Sequence, residues 1–135
     1  MTLGAGDLST IGPVSKPALQ AAPESWSIRA TDTNVAVLTI PGALDRMRTF
    51  DVDVQLRVRL PAAAKKPELG LSLEIDGSRQ WSRTIAGSTP GEVDTLEYHC
   101  RLVLATGRDS RLRARATTRQ CTLLSLTLSA VEERT

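Results

Sequence analysis

The stretch from Phe50 to Leu60 reads FDVDVQLRVRL, and apolar and polar residues alternate along all of it. This period of two places every second side chain on the same side of an extended backbone, as in a β-strand with one buried and one solvated face. Pro61 follows directly and closes the strand. We therefore predict a long strand here and an all-β fold for the chain.

Further segments with strand-like patterns lie on both sides of this stretch, and turn residues separate them. The Asp76-Gly77 pair is a strong hairpin signal. The other predicted strands are 25–30, 35–40, 69–75, 79–85, 96–104, 111–117 and 124–128, with a short helical turn expected at 43–48. About eight strands are typical of a β-sandwich or a barrel. Because nearly every strand has one polar face, we predict a two-sheet antiparallel sandwich, and a barrel around a ligand cavity is the alternative.

The composition indicates one folded domain behind an N-terminal leader. The 135 residues are 41% hydrophobic and 24% charged, which is the balance of a folded protein. No apolar stretch approaches the ~20 residues of a membrane-spanning helix, so we predict no membrane partner. Residues 1–23 are rich in Gly, Pro and small residues, which favours a flexible or extended leader before a sandwich domain at 24–135. The leader is either a linker or an arm that packs on a neighbouring subunit.

Positive charge is concentrated in the last third of the chain. Residues 99–135 contain seven Lys/Arg and three Asp/Glu, although the net charge is only +2 and aromatic residues are 3%. Because nucleic-acid binders combine a larger basic patch with aromatic or base-reading side chains, we predict no nucleic-acid partner.

Arginines recur at alternate positions, which puts each set on one face of a strand. The sets are Arg57 with Arg59, and Arg111 with Arg113 and Arg115, with Arg101 expected beside the second set across a hairpin. Guanidinium groups suit carboxylates, sulfates and phosphates. Charges on exposed strands also discourage association between sheets, so a binding strip and a protective surface are both open interpretations.

The two cysteines, Cys100 and Cys121, are compatible with a disulfide, two buried thiols or unrelated roles. A disulfide would favour an extracytoplasmic location. The Leu123-Leu124 doublet after Cys121 interrupts the alternation, which predicts a bulge there. With one histidine and no CxxC motif, we predict no zinc site.

No set of residues has the spacing of a catalytic site. His99 and Cys100 are neighbours in a strand, so their side chains point to opposite faces and do not form a dyad. Asp51 and Asp53 share one strand face, as do Glu74 and Asp76, but such pairs are common on solvated sheets. We predict no catalytic residues and no enzymatic activity, with a carboxylate-dependent hydrolase as the least favoured function.

The order of elements from Phe50 onward resembles the galactose-binding-like jelly roll of carbohydrate-binding modules. The likeness rests on the alternating strand 50–60, the strand that ends at Asp76-Gly77, the strand that ends at Gly107, and the alternating leucines at 124–128. The resemblance implies a sandwich of jelly-roll type that binds sugars with aromatic and polar side chains, in edge loops or on a concave sheet face. It also implies a structural calcium ion in some members, for which Glu24, Asp32 and Glu132 are the candidates.

Among the aromatic residues, Phe50 and Tyr98 have the parity of interior positions and Trp26 alternates with serines, which leaves Trp81 as the candidate sugar platform. Trp81 is also explained as a tryptophan that closes the edge of a small core. The predicted ligand-binding residues are Trp81, Arg79, Arg83, Arg111, Arg113 and Arg115. We expect a non-catalytic module that binds a glycan, an anionic one if the arginine strands adjoin. The alternative is a coat, shell or secretion component that self-associates or binds a partner protein.

Overall fold

The computed structural model describes residues 22–133, which form eight strands and no helix. The strands are β1 (Ser25–Ala30), β2 (Val35–Ile40), β3 (Arg48–Arg59), β4 (Glu68–Ile75), β5 (Ser78–Ala86), β6 (Val93–Leu104), β7 (Ser110–Arg119) and β8 (Thr122–Glu132). Within this range nothing resembles a helix long and apolar enough to cross a membrane. The predicted leader falls almost entirely outside the described residues and stays a prediction.

The strands form two antiparallel sheets of four strands each. Sheet A has the order β1-β8-β3-β6 and sheet B the order β2-β7-β4-β5. The pairing is nested, because β1 pairs with β8, β2 with β7, β3 with β6 and β4 with β5. The predicted two-sheet antiparallel sandwich is therefore confirmed, and the nesting agrees with its jelly-roll type. Two separate sheets replace the alternative of a closed barrel.

Strand β3, which contains the alternating residues from Phe50 onward, forms the central part of the core. β3 pairs with β6 on one side and β8 on the other, and Phe50, Val52 and Leu56 are each fully buried on its inward side. Leu69 and Leu73 of β4 cover them from sheet B. Because full burial of each such side chain contributes about 1.5–3 kcal/mol, this layer fixes how the two sheets face each other.

Two local features differ from or refine the sequence pattern. Residues 41–47 contain only a bend, and β3 begins at Arg48, so the predicted helical turn is wrong. The segment is held open because the Gly107 amide donates to the Ala43 carbonyl at 2.6 Å and the buried Arg48 guanidinium donates to the Pro41 carbonyl at 2.7 Å. The predicted bulge at the leucine doublet is present, since the pairing of β8 with β3 shifts beside Val58.

Loops 41–47 and 105–109 meet at one end of the sandwich, which we call the near end. Residues 24 and 132 also lie there, because the Glu132 amide donates to the Glu24 carbonyl at 2.8 Å.

The two cysteines are free: Cys100 lies opposite Val52 in sheet A, and the Cys121 thiol donates to the Glu68 carbonyl at 3.3 Å in the turn between β7 and β8. The disulfide that would have favoured an extracytoplasmic location is therefore not formed.

Candidate functional site

Arginines collect on the outer face of sheet B. On β7 the residues Leu112, Ala114 and Ala116 are fully buried, so the intervening side chains point away from the core. We call this surface the arginine face, formed by Arg111, Arg113, Arg115 and Arg119 of β7 and Arg79 of β5. Successive outward residues of a strand lie about 6.8 Å apart, so the four β7 arginines form a row along the middle of the sheet.

These arginines have no ionic partner among residues 22–133. Glu74 lies between Arg113 and Arg79 in the sheet register, and Glu68 lies opposite Arg119, yet neither carboxylate forms an ion pair. The Arg113 Nε is buried and has no hydrogen-bond partner within the described part of the chain. The exposed guanidinium groups of Arg79, Arg111, Arg115 and Arg119 are therefore available to an external anion, whereas the buried Arg113 Nε is not.

Small hydroxyl residues and a glycine lie beside the arginine row on β4 and β5, while Val35, Val37 and Thr39 of β2 lie on its other side. Ser72 lies opposite Arg115 on one side and Ser82 on the other, and Gly70 lies between Thr117 and Thr84 in the same way. A Cβ atom added at Gly70 would come within 2.3 Å of the Thr117 Oγ1 and 3.0 Å of the Thr84 Oγ1. The two exposed threonine side chains thus cover the buried glycine and leave no open space above it.

Trp81 does not lie on the arginine face. Its register partner is Leu73, which faces the core, and its ring stacks on Tyr98 with centroids 4.3 Å apart and planes 8° from parallel. Since Trp81 belongs to sheet B and Tyr98 to sheet A, the pair closes the open edge of the sandwich between β5 and β6. Arg83 is exposed on the same side of β5 as Trp81, opposite Leu71.

A bulge explains why the predicted set is divided. The pairing of β5 with β4 shifts between Trp81 and Arg79, which leaves Gln80 as an extra residue and turns Arg79 to the opposite side. Four of the six predicted residues therefore share the arginine face, and Trp81 and Arg83 do not. Arg119 was missed, although continued alternation beyond Thr117 would have indicated it.

The other arginines considered in the sequence, Arg57, Arg59 and Arg101, lie on sheet A. Arg101 was expected beside β7, but it belongs to β6 in sheet A, where it binds Glu133 through two hydrogen bonds of 2.7 and 2.8 Å. This bond lowers the pKa of Glu133. Arg57 and Arg59 lie on β3, in the sheet opposite β7, so the two arginine strands do not adjoin. The two arginine sets thus do not form the joint strip that would indicate an anionic ligand, and exposed Arg29 and Arg59 lie on sheet A, apart from the arginine face.

The outer face of sheet A carries a shallow depression of about 490 Å³ lined by polar groups that bind each other. The His99 Nδ1 lies 2.8 Å from the Asp53 Oδ1, and Gln55 donates to Glu97 at 2.9 Å. The Asp53 carboxylate raises the pKa of His99. His99 and Cys100 point to opposite sides of β6, as predicted, so they form no nucleophile and base pair.

Two of the three acidic residues that the family resemblance assigns to a calcium ion form ion pairs with arginines instead. Glu24 and Glu132 do meet at the near end, but Arg46 lies 2.9 Å from both and Arg48 lies 2.7 Å from Glu24. The hydrogen bond from Arg46 lowers the pKa of Glu132. Asp32 lies on the turn after β1, away from this end. Among the described residues no three acidic, His or Cys side chains are placed to hold a metal ion.

Comparisons with known proteins give only distant matches. No protein-family model matches the chain, and no curated protein matches it. Solved structures that are similar to the chain include the following three. Latent PorU from Porphyromonas gingivalis aligns over 84% of this chain and 13% of its own, with 11% identity and a TM-score of 0.42. A family GH115 4-O-methyl-α-glucuronidase with specificity for decorated arabinogalactans aligns over 94% of this chain and 20% of its own, with 14% identity and a TM-score of 0.38.

The third structure is chicken MD-1 complexed with lipid IVa, which aligns over 84% of this chain and all of its own, with 16% identity and a TM-score of 0.27. The present chain thus spans less than a quarter of the length of the first two proteins. At these identities and scores none of the matches assigns a site, so the functional argument rests on the geometry of the arginine face.

Proposed function

We propose that the chain is a non-catalytic binding module whose arginine face binds an anionic polysaccharide. The observation that carries the proposal is the collection of five arginines on one sheet face without a carboxylate partner in residues 22–133. Planar guanidinium groups bind carboxylates and sulfates through paired hydrogen bonds. A row of them along β7 suits a linear chain that presents such groups at intervals.

The rest of the arginine face favours a glycan over a nucleic acid. Single-stranded nucleic acids are bound through aromatic side chains that stack on the bases. No aromatic side chain of the described strands points outward on this face, since Trp81 is turned toward the edge of the core. Ser72, Ser82, Thr84 and Thr117 instead offer hydroxyls, which both donate and accept hydrogen bonds and so match sugar hydroxyls.

The placement of the carboxylates supports binding without hydrolysis. Glu68 and Glu74 stand at opposite ends of β4, about 20 Å apart along the strand, whereas glycosidase carboxyls lie about 5–9.5 Å apart. Asp53 and Glu97 in the depression on sheet A are already hydrogen-bonded to His99 and Gln55. Residues 22–133 therefore offer the proposed ligand a surface without an acid and base pair around a scissile bond.

Self-assembly is the second candidate, and exposed apolar side chains at the near end favour it. Leu44 is 89% exposed, Met47 64% and Val103 60%. Burial of such side chains against a second copy would stabilise an oligomer independently of any glycan. This function predicts a discrete oligomer, detected by light scattering, which the Met47→Asp variant no longer forms, and no specific binding of an anionic polysaccharide by wild type.

The proposal is tested by isothermal titration calorimetry with dextran sulfate and polygalacturonate, with neutral dextran for comparison. The Arg113→Gln/Arg115→Gln variant should bind both anionic polymers at least tenfold more weakly than wild type, because it removes two central cations of the row. The matched control is Arg29→Gln/Arg59→Gln, which removes two exposed arginines from sheet A and changes net charge equally. Equal weakening in both variants, or no binding by the wild type, would overturn the proposal.

A further inference from the structure

We infer that strand β6 is an interaction edge, to which a second copy of this chain adds its own β6 in the antiparallel direction. The inference concerns the association of the protein and does not depend on the proposed ligand. It follows from a comparison of the four outer strands of the two sheets, which are β1, β2, β5 and β6.

Three of these outer strands have features that discourage the addition of another strand. β1 and β2 are only six residues long. β5 contains the bulge at Gln80, and its Arg83 is turned to the side of the core, opposite Leu71. Short strands, bulges and inward-pointing charges are means by which a sheet edge avoids pairing.

Residues 95–104 of β6 have none of these features. The strand is 12 residues long, contains no Gly or Pro, and pairs with β3 without a shift in register. Its side chains on the side of the core include Tyr98, Cys100 and Leu102, which are apolar and only partly buried. A long, regular edge with incompletely covered apolar side chains is typical of a strand that accepts another strand.

The backbone groups that are free at this edge belong to residues whose side chains point outward. In an antiparallel pair, alternate residues bond to the neighbouring strand. The Leu60 amide donates to the Glu92 carbonyl at 2.9 Å and the register continues from there, so the even-numbered residues of β6 bond to β3. The amides and carbonyls of the odd-numbered residues from 95 to 103 therefore point to the open edge. A second β6 would form about ten hydrogen bonds with them.

The charges along the edge are complementary to those of a second copy. Charges on an edge strand prevent pairing where like charges meet. When His99 lies opposite His99 of the second copy, however, Glu97 of each copy lies opposite Arg101 of the other. Opposite charges that face each other across two strands stabilise the pairing.

Both charged groups have unused hydrogen-bonding capacity. Arg101 donates to Glu133 through its Nε and Nη2, and its Nη1 has no partner within residues 22–133. Glu97 accepts from Gln55 through its Oε2, which leaves its Oε1 without a donor in the described part of the chain. The Arg101 Nη1 of one copy and the Glu97 Oε1 of the other are therefore the expected partners.

The two His99 side chains at the centre of the contact are compatible with it. The His99 Nδ1 lies 2.8 Å from the Asp53 Oδ1, and its Nε2 lies 3.7 Å from the Asp51 Oδ1. These carboxylates balance the charge of a protonated imidazole, which reduces the repulsion between the two rings.

The pairing has two-fold symmetry and therefore closes at two copies. Directly opposed side chains of antiparallel strands lie on the same side of the sheet, so the two sheets A form one continuous sheet of eight strands. Both arginine faces then point to the same side of the dimer. Under the proposed function, two such faces would hold one long polyanion more tightly than either face alone.

The test exchanges the charges at the paired positions, and sedimentation velocity over a range of protein concentrations measures the result. Wild type should sediment as a dimer, at twice the 14.6 kDa of the chain. Glu97→Arg and Arg101→Glu should each dimerise at least about tenfold more weakly, because each variant sets like charges opposite each other at two places. An equal mixture of the two variants should recover the dimer, since the exchanged charges attract at both places.

Three control variants leave the paired positions intact. Asp32→Arg and Arg29→Glu make the same changes of charge at the opposite edge of sheet A, at exposed positions, and should leave the dimer unchanged. Met47→Asp should also leave it unchanged, which separates this dimer from assembly through the near end.

Amide hydrogen exchange followed by NMR shows whether the dimer uses the β6 edge. The amides of Glu97, His99 and Arg101 should be protected in wild type, where the second copy accepts their hydrogen bonds. They should exchange rapidly in monomeric Glu97→Arg.

A wild type that stays monomeric, or a dimer that Glu97→Arg leaves unchanged, would overturn the inference. Failure of the two folded variants to associate when mixed would overturn it as well, and so would rapid exchange of the His99 amide in a wild-type dimer. If Arg101→Glu does not fold without its bond to Glu133, Glu97→Arg decides alone, because Glu97 forms no ion pair with another described residue. The proposed function is unaffected by these outcomes, since polysaccharide binding is measured separately.

Discussion

The arginines of the near end and those of the arginine face have the same side chain in opposite surroundings. Arg48 is only 2% exposed, and its guanidinium binds Glu24 and two backbone carbonyls. Arg115 is exposed on the middle of sheet B and forms no ion pair with any residue from 22 to 133. At the near end the terminal nitrogens of Arg48 are bonded within the fold, although its Nε is buried without a partner in residues 22–133. On the arginine face the side chains of Arg79, Arg111, Arg115 and Arg119 are exposed to solvent.

The difference shows that pairing, rather than the number of arginines, separates a structural from a binding surface. A buried guanidinium loses its hydration, so the fold must supply acceptors for it. Around Arg46 and Arg48 these acceptors come from the two ends of the described chain and from loops 41–47 and 105–109, which the cluster ties together. An exposed guanidinium keeps its hydration and needs no partner until a ligand arrives.

The largest expected effect comes from Arg48 at the near end. Arg48→Met should lower the free energy of unfolding by about 3 kcal/mol, because breaking a buried ion pair leaves Glu24 and two carbonyls with fewer donors. Urea denaturation monitored by tryptophan fluorescence measures this. Arg108→Met, an exposed arginine at the same end, is the control and should change stability by less than about 0.5 kcal/mol. A loss below about 1 kcal/mol in Arg48→Met would remove the contrast between the two regions.

Acid should weaken the near end and spare the arginine face. Because Arg46 lowers the pKa of Glu132, the unfolded chain binds more protons at this residue than the folded protein. The stabilisation is thus complete above the ordinary glutamate pKa of about 4.3 and is lost as pH falls through the lower value of the folded state.

Glu132→Gln should consequently be less stable than wild type by about 1–2 kcal/mol at pH 7 and should lose less stability on acidification to pH 3. Thermal unfolding followed by circular dichroism across this range measures both quantities. Glu92→Gln, an exposed glutamate without an ion pair in the described structure, should keep the acid sensitivity of wild type. Parallel curves for Glu132→Gln and wild type would show that the pair does not govern the acid response.

These two regions differ in how much of their structure could be predicted from the sequence. Alternation in residues 50–60 and 111–117 predicted both strands and the shared face of Arg111, Arg113 and Arg115, because side-chain parity is a local property of a strand. Parity does not say which strands become neighbours. Arg101 therefore seemed to belong beside Arg111, although the nested pairing places it in the other sheet.

The bulge in β5 could not be predicted from local patterns, for a different reason. Arg79, Trp81 and Arg83 have the spacing of one strand face, and only the extra residue Gln80 in the β4–β5 pairing separates Arg79 from the others. The partners of Arg48 were equally hidden, since Glu24 lies 24 positions away in the sequence. Such features depend on contacts between distant segments, which periodicity does not report.

His99 is intermediate between the two regions, because it is exposed but paired with Asp53. The expected effect of breaking this pair is smaller than at the near end. The hydrogen bond and charge of Asp53 raise the pKa of His99, so this pairing is fully present below the ordinary histidine pKa of about 6.5 and is lost as pH rises through the folded value. Asp53→Asn should return the pKa of His99 toward 6.5, measured by NMR titration of the imidazole. Asp45→Asn should leave it unchanged, and a similar shift in both variants would indicate a general charge effect.

The smallest effect on stability is expected at the arginine face itself. Arg111→Gln/Arg113→Gln/Arg115→Gln should leave the free energy of unfolding within about 0.5 kcal/mol of wild type at moderate salt, because no internal ion pair is broken and the Arg113 Nε already lacks a partner within residues 22–133. At low salt the variant should be the more stable protein, since adjacent cations about 6.8 Å apart repel each other in wild type. Urea denaturation at 10 mM and 300 mM NaCl measures the difference. A variant that is markedly destabilised at both salt concentrations would mean that the row supports the fold as Arg48 does, and the distinction between structural and ligand-directed arginines would no longer hold.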